Sequence, residues 1–196
     1  MTIDQLLQEP GQEDKVQNLS TTSFQFKRDL WDFFSENFSH CHAVEFGTHK
    51  GQTTRIMAFL FDQVYTINRP VDDVFVEAKI LNRDRDNINY IGFNLYGSGK
   101  LVIPNEVSMV FIDANHEYDN VMQDIERALG FRLSSEAFLV FDDYGSSAGV
   151  KIAVTDFVDE GKLQIVRTIG HGPAHSFGGR PERILQDFEG VICKVV

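Results

Sequence analysis

Two almost entirely apolar runs constrain the fold most, because a carboxylate directly follows each of them. The run at 107–112 precedes Asp113, and the run at 137–141 precedes Asp142 and Asp143. Apolar runs without polar alternation are typical of strands buried on both faces, as in a parallel sheet covered by helices. Between them, apolar residues recur at helical spacing over 118–129, which predicts a crossover helix. The two strands are therefore expected to be parallel.

Shorter patterns extend this strand–helix alternation along the chain. We expect further strands at 42–46, 64–67 and 88–95, and helices from Phe24, over 53–60, around 76–81 and over 150–158. Asp72 and Asp73 are candidate caps for the helix around 76–81. The last strand-like segments, 163–169 and 190–196, need no long helix between them and favour an antiparallel pair. The predicted fold is α/β, a Rossmann-like, doubly wound and mostly parallel sheet with an antiparallel finish.

The length of 196 residues predicts one domain. We divide the chain into a polar, loosely held N-terminal arm with one short helix, 1–23, and a main domain, 24–196. The aromatic-rich segment 24–38 is expected either to cover the sheet or to pair with a second copy of the chain in a homo-oligomer.

Composition excludes several classes of protein. No apolar run approaches membrane-spanning length, and the first residues lack the basic and apolar regions of a leader peptide. Two cysteines rule out a disulfide framework and favour a reduced, cytoplasmic setting. The net charge of −11 argues against a nucleic-acid partner, because phosphate contacts need a basic face.

A glycine-containing turn follows the first predicted strand. It runs from Glu45 through Gly47 and Gly51 to Thr54, and it departs from both the P-loop and the GxGxxG pattern. Glycines here let a ligand approach the backbone at a helix N-terminus. A plain tight turn between strand and helix is an equal alternative.

The three strand-end carboxylates form a second candidate site. If their strands are neighbours, the ends lie roughly 5 Å apart, and Asp113, Asp142 and Asp143 repel one another. A divalent cation such as Mg²⁺ would relieve that repulsion. In the alternative, Asp113 caps the following helix, and Asp142 and Asp143 begin a turn.

Three segments in order resemble class I S-adenosylmethionine-dependent methyltransferases. Residues 44–54, VEFGTHKGQTT, are similar to the family's first motif, an acidic residue followed by Gly-x-x-x-Gly. FIDANHEY at 111–118, with Asp124 further on, and VFDDY at 140–144, with GVKIA at 149–153, resemble motifs of a subgroup of small O-methyltransferases and sugar-hydroxyl methyltransferases. The resemblance spans about 24–158 and implies a seven-stranded sheet.

The resemblance also implies roles for individual residues. Asn68 stands at the position of the ribose-binding acid, and Asn94 near that of the acid beside adenine, so both depart from the family pattern. The residues implied to bind the cofactor are Glu45, Gly47, Thr48, Gly51, Thr53, Asn68, Asn94 and Asp113. In metal-dependent members the matching positions hold Mg²⁺ or Mn²⁺, which here would be Asp113, Asp142 and Asp143.

Histidines supply the candidate base. His116 is expected either to take a proton from a substrate hydroxyl, with Asp113 as the second catalytic residue, or to hold a backbone carbonyl at a helix start. His49 is expected at the surface. His171, His175 and Arg180 are expected in a solvated loop, with substrate contact as the alternative.

The sequence thus predicts a methyltransferase that uses S-adenosylmethionine, assisted by a divalent metal, with a hydroxyl of a small molecule or sugar as acceptor. The alternatives are a metal-independent methyltransferase and a non-catalytic binding module of the same fold. We expect Gly47→Val to block the cofactor pocket while leaving the sheet intact.

Overall fold

The computed structural model describes residues 1–196 except 16, 19, 72, 74 and 172–186. Seven strands form one sheet: β1 His42–Phe46, β2 Gln63–Asn68, β3 Ile88–Gly92, β4 Val107–Ile112, β5 Leu133–Phe141, β6 Leu163–Ile169 and β7 Gly190–Val195. The helices are α1 Ile3–Leu7, α2 Phe24–Phe34, α3 Gln52–Leu60, α4 Val76–Leu81, α5 Tyr118–Leu129 and α6 Ala148–Asp159.

The strand order is β3-β2-β1-β4-β5-β7-β6. Strands β1 to β5 pair in parallel, whereas β7 is antiparallel to both β5 and β6. This order confirms the predicted doubly wound sheet and its antiparallel finish. The register pairs Phe46 with Ile112 and Ile112 with Phe141, so β1, β4 and β5 end side by side. The loops after these three strands therefore meet at one edge.

Helices bury both faces of the sheet, as the apolar runs predicted. On one face, α5 and α6 contribute to a cluster with Val110, Leu139 and other strand residues. On the other face, α2 and α3 pack against Phe111 and Val140. The ring centroids of Phe26 and Phe111 are 5.7 Å apart, so α2 covers the sheet directly. This result confirms the covering alternative for the aromatic-rich segment.

Most element boundaries lie within two residues of the prediction, and the larger differences are in β5 and β3. Strand β5 begins earlier, at Leu133, and β3 ends earlier, at Gly92. Helix α2 ends at Phe34, yet Phe38 beyond it stays buried against the Phe34 ring. No helix in the described part of the chain is long and apolar enough to cross a membrane.

The capping prediction for α4 is wrong for Asp73. The N-cap residue of α4 is Phe75, which makes no side-chain cap hydrogen bond. Asp73 has a φ of 63°, a turn conformation, and only its backbone carbonyl accepts a hydrogen bond from Val76. Asp72 lies outside the described residues.

The expectation that the N-terminal arm is loosely held is also wrong. It contains the expected short helix, α1, which Thr2 caps through a reciprocal pair of hydrogen bonds with Gln5. Leu6 and Leu7 of α1 are buried in the cluster beneath α2. The arm is therefore part of the packed fold, while the division into 1–23 and 24–196 stays a prediction.

Candidate functional site at the carboxyl edge of the sheet

Backbone hydrogen bonds fix the residues that follow β1, β4 and β5. The Asp113 N–H donates to the Phe46 carbonyl at 2.9 Å, and the Asp142 N–H donates to the Ile112 carbonyl at 3.3 Å. Gly47 donates in turn to Ile67 of β2 at 2.9 Å. The sheet thus brings the glycine turn and the strand-end carboxylates to one rim, as the sequence predicted.

Gly47 is required where β1 and β4 end. Its φ is 101°, a conformation that side chains disfavour, and an added Cβ would lie 2.0 Å from the backbone oxygen of Asp113. A larger residue would therefore push the two strand ends apart. The expectation that Gly47→Val leaves the sheet intact is wrong, because the clash is with backbone and not with an open pocket.

Asp113, His116 and Asp143 form the outer part of the rim. His116 Nε2 lies 3.5 Å from an Asp113 carboxylate oxygen and 3.2 Å from one of Asp143. The hydrogen bond to Asp113, aided by both negative charges, raises the pKa of His116 to about 9. Burial, with the charge of Asp142, raises the pKa of Asp113 to about 7. His116 is thus protonated at neutral pH in this arrangement.

Lys15, which the sequence analysis missed, forms the inner part of the rim. Its Nζ lies 3.1 Å from Asp142, 3.0 Å from Asp143 and 3.0 Å from Glu189, and its side chain is only 2% exposed. Glu189 also accepts a hydrogen bond from the Ser23 N–H at 3.1 Å. The arm therefore supplies a buried ammonium group to the carboxylates that follow β5 and precede β7.

The charges of this inner cluster shift one another's pKa values. Burial alone would lower the pKa of Lys15, but Asp142, Glu189 and Asp143 together raise it well above its usual value. Burial raises the pKa of Asp143, yet the stronger combined effect of Lys15, His116 and hydrogen bonds lowers it. Lys15 is thus a fixed cation at every pH near neutrality.

Lys15 contacts two of the three carboxylates of the predicted metal site, Asp142 and Asp143, but not Asp113. Both oxygens of Asp142 accept hydrogen bonds from Lys15, at 3.3 and 3.1 Å. In the described part of the chain, the residues whose ligand atoms lie within 4.8 Å of one another are Asp113, His116 and Asp143. The Lys15 ammonium lies against Asp143 as well and would repel a divalent ion. Asp113 and Asp143, with His116, are close enough to share an ion, so the predicted Mg²⁺ or Mn²⁺ site stays a prediction.

Two adjoining cavities open at this edge, and both are lined by Gly47, Asn68 and Ala114. The first measures about 230 Å³ and has apolar walls from Phe93, Leu95 and Tyr96. The second measures about 390 Å³. Its polar wall consists of Ser20, His49, Asp113, His116, Asp142 and Asp143. A larger cavity of about 740 Å³ lies away from these groups, between the arm, α3 and α4.

The two asparagines differ in their relation to the cavities. Asn68 lines both, and its Oδ1 accepts a hydrogen bond from the Arg69 N–H at 2.9 Å. Its amide nitrogen has no hydrogen-bond partner within the described ranges and can donate to a ligand. Asn94 is exposed, and its Oδ1 accepts from the Tyr96 N–H at 3.2 Å. The structure thus brings Asn68, but not Asn94, to the cavities.

Glu45 and the residues of the glycine turn lie behind the two cavities. The Glu45 carboxyl accepts hydrogen bonds from the hydroxyls of Thr54 and Thr66, and its burial raises its pKa to about 8. Thr48 pairs with Thr66 at 2.6 Å. Thr53 pairs with Thr22 of the arm at 3.2 Å.

Gly51 faces α4 and not the cavities. A Cβ there would lie 2.7 Å from the Cβ of Ala78. Of the first-motif residues, Gly47 alone lines both cavities, whereas Glu45, Thr48 and Thr53 line a separate space of about 20 Å³.

The structure agrees in part with the positions predicted for the remaining histidines. His49 is exposed, as expected, but it also lines the second cavity. His171 is exposed at the end of β6. His175 and Arg180 lie outside the described residues, so their predicted loop contacts stay predictions.

The family model described as "Methyltransferase domain" matches residues 44–144, which is 101 of the 196 residues. The chain belongs to the methyltransferase domain family. The match runs from within β1 to just after β5. It includes VEFGTHKGQTT, FIDANHEY and VFDDY, whereas GVKIA at 149–153 lies beyond it. A search of curated proteins gives no significant match to this methyltransferase domain.

Solved structures share the fold of this methyltransferase domain at low sequence identity. A Streptococcus mutans protein assigned as a methyltransferase, SMU.1697c in complex with SAH, is 15% identical, with a TM-score of 0.64 over 88% of this chain and 98% of that one. An O-methyltransferase from Bacillus cereus, also with SAH, is 15% identical, with a TM-score of 0.61 over 99% and 90%. An rRNA methylase from Streptococcus thermophilus is 15% identical, with a TM-score of 0.61 over 85% and 93%.

Proposed function

We propose that this protein transfers a methyl group from S-adenosylmethionine to a hydroxyl of a small molecule or sugar, without a divalent metal. The observation that carries the proposal is the pair of adjoining cavities at the carboxyl edge of the sheet. One has apolar walls, the other has acid–base groups, and Gly47 and Asn68 line both. Ligands of doubly wound sheets bind at this edge.

The first cavity suits the nucleoside part of the cofactor. Phe93, Leu95 and Tyr96 offer apolar and aromatic surface for adenine. The amide of Asn68 can donate to a ribose hydroxyl, and Gly47 lets the methionine part pass close to the backbone. When bound, S-adenosylmethionine supplies an electrophilic methyl group. That two solved neighbours were crystallised with SAH supports this assignment.

The second cavity suits the acceptor and its proton. Asp113 has a pKa of about 7, so near neutrality it can accept a proton from an acceptor hydroxyl. His116 is held as a cation by Asp113 and Asp143, which favours a hydrogen-bond donor over the predicted general base. In this proposal Asp113 removes the proton of the acceptor hydroxyl. The positive charge of His116 offsets the negative charge that the acceptor oxygen then carries.

The size and charge of the second cavity favour a small, uncharged acceptor. A space of about 390 Å³ lined by carboxylates admits a sugar or small aromatic hydroxyl compound and repels phosphates. The net charge of −11 also disfavours nucleic acid, although one neighbour is described as an rRNA methylase. A cytoplasmic location and a homo-oligomer stay predictions.

A transfer assay tests the proposed function. Purified protein is incubated with methyl-labelled S-adenosylmethionine and panels of sugars and small phenols, in EDTA and in Mg²⁺. We expect methylation of a hydroxyl at equal rates in both buffers. Asp113→Asn should lower turnover by roughly 10²-fold or more, whereas the exposed Asp119→Asn should not. Activity that vanishes in EDTA would contradict metal independence.

A non-catalytic binding module is the second candidate. Asn68 favours it, because an amide at the ribose position lacks the strong acceptor character of a carboxylate. This candidate predicts binding of S-adenosylmethionine without transfer to a hydroxyl in either panel. Turnover with a hydroxyl acceptor would exclude it.

A further inference from the structure

The buried ammonium of Lys15 is the unexpected feature of the rim. Its side chain is 2% exposed, and its Nζ lies within 3.1 Å of three carboxylates that come from two different parts of the chain. A buried lysine loses its hydration, so such a residue needs compensating partners. Here the partners leave little of the ammonium group unsatisfied, since a lysine has three N–H donors.

Charge balance explains why a cation is needed there. Strands β4, β5 and β7 bring four carboxyl groups together at one edge, and Lys15 and His116 are the cations in direct contact with them in the described part of the chain. The buried Lys27 adds a longer-range attraction to Glu189 and Asp142. The four are Asp113, Asp142, Asp143 and Glu189. His116 reaches the outer pair, Asp113 and Asp143. Asp142 and Glu189 depend on Lys15 in the described contacts.

We propose that Lys15 is the resident cation of this rim, that it takes the place of a divalent metal at Asp142 and Asp143, and that it thereby fastens the arm over the cavity. Lys15 is a positioning residue in this scheme. It holds two carboxylates that face the second cavity, while its own ammonium is buried beneath them.

The course of the arm supports the second half of the proposal. Ser20, five residues after Lys15, lines the second cavity together with the strand-end carboxylates. The Ser23 N–H donates to Glu189, one of the Lys15 partners, and Thr22 pairs with Thr53 of α3. The ion pairs of Lys15 thus attach to the strand ends a segment that contributes Ser20 to the lining of the cavity.

The proposal predicts that removal of Lys15 creates a metal site. Without the ammonium, one oxygen each of Asp142, Asp143 and Glu189 is left 3.0–3.1 Å from the vacated Nζ position. These oxygens can draw inward around Mn²⁺ or Mg²⁺, which both accept carboxylate ligands. We therefore compare Mn²⁺ binding to the full chain by the electron paramagnetic resonance signal of free aqueous Mn²⁺. The proteins are wild type, Lys15→Ala, Lys15→Arg, Lys15→Ala with Asp142→Asn, and a matched control at an exposed lysine, Lys100→Ala.

We expect Lys15→Ala to bind one Mn²⁺ at least about tenfold more tightly than wild type. Lys15→Arg and Lys100→Ala should behave as wild type, and the added Asp142→Asn should weaken the new site. Hydrogen exchange of residues 12–23 should accelerate in Lys15→Ala and slow again when Mn²⁺ is added. If Lys15→Ala fails to fold, Mn²⁺ in the refolding buffer should restore the fold.

Three results would overturn the proposal. The first is tight Mn²⁺ binding by wild type that Asp142→Asn abolishes. The second is a folded Lys15→Ala protein that binds Mn²⁺ no better than wild type, and the third is an unfolded one that Mn²⁺ does not rescue. The inference extends the proposed function, but its readouts need neither S-adenosylmethionine nor an acceptor. A failure of methyl transfer would therefore be distinguishable from a failure of this proposal.

Discussion

His116 Nε2 lies 3.2 Å from a carboxylate oxygen of Asp143, so the loop after β4 is tied to the loop after β5. The same nitrogen lies 3.5 Å from Asp113. The Nε2 of His116 thus contacts carboxylates at the ends of both strands, Asp113 after β4 and Asp143 after β5. The consequences for acid–base behaviour can be measured directly.

The pKa of His116 should be about 9 when followed by NMR of its imidazole ring. The largest cause is the hydrogen bond to Asp113, so Asp113→Asn should lower this pKa more than Asp143→Asn does. The exposed Asp119→Asn serves as the control and should leave the pKa unchanged. Since the folded-state pKa is above the usual 6.5, His116 stabilises the fold most below pH 6.5, and this contribution is lost as the pH rises through 9. A measured pKa near 6.5 would contradict the described contacts.

Gly47→Ala should destabilise the fold by about 3 kcal/mol or more, because backbone strain and overpacking add. The physical reason is the close approach of an added Cβ to the Asp113 carbonyl. Gly161 provides a matched control, since it has a φ of 71° but no atom within 4 Å of an added Cβ. Gly161→Ala should cost only about 1–2 kcal/mol, the strain of the left-handed conformation. Urea unfolding measures both values, and equal costs would exclude the clash.

Asn68→Asp should tighten binding of S-adenosylmethionine by about 1 kcal/mol, the scale of one improved hydrogen bond. One carboxylate oxygen can still accept from the Arg69 N–H, while the other can accept from a ribose hydroxyl. Asn94→Asp is the control, because Asn94 is exposed and does not line the described cavities. Calorimetric titration compares the two variants. A stronger effect at position 94 than at 68 would place the nucleoside elsewhere.

Glu45→Gln should remove part of the pH dependence of stability. Burial raises the pKa of Glu45 from 4.5 to about 8, so the folded state keeps a proton that the unfolded state loses between these values. The free energy of unfolding should therefore fall as the pH rises from 4.5 to 8, by at most about 1.4 kcal/mol per pH unit from this group. Asp113 and His116 contribute in the same direction, so the difference between wild type and Glu45→Gln isolates Glu45. Urea unfolding at pH 5, 7 and 9 measures this difference, and equal slopes in the two proteins would show that Glu45 is ionised.

The strands buried on both faces were predictable because residues buried on both sides of a sheet are almost all apolar, and such a run is visible in the sequence. Strand β4 is apolar throughout except for Ser108, and its bounds agree with the predicted run. Strand β5 begins four residues before its apolar run. Its first residues, Leu133 to Glu136, are exposed or half-buried, so polar side chains are tolerated there. Because this part of β5 has neither alternating nor continuous apolar residues, its sequence pattern does not predict a strand.

The carboxylate rim was predictable in its position but not in its contacts. Each carboxylate directly follows an apolar run that predicts a buried strand. The strand ends could therefore be located in the sequence, and Asp113, Asp142 and Asp143 could be placed together. Lys15 could not be placed, because it lies in an arm without hydrophobic periodicity and is 127 residues from Asp142. Three clustered carboxylates require a counter-charge, but the sequence does not distinguish a metal from a distant lysine.

Calorimetric titration of the wild-type protein with S-adenosylmethionine in EDTA tests the central claim most directly. The account predicts one binding event per chain, the same affinity when Mg²⁺ replaces EDTA, and loss of affinity when Tyr96→Ala opens the apolar wall of the first cavity. No heat of binding at millimolar S-adenosylmethionine, or binding that requires Mg²⁺, would contradict it.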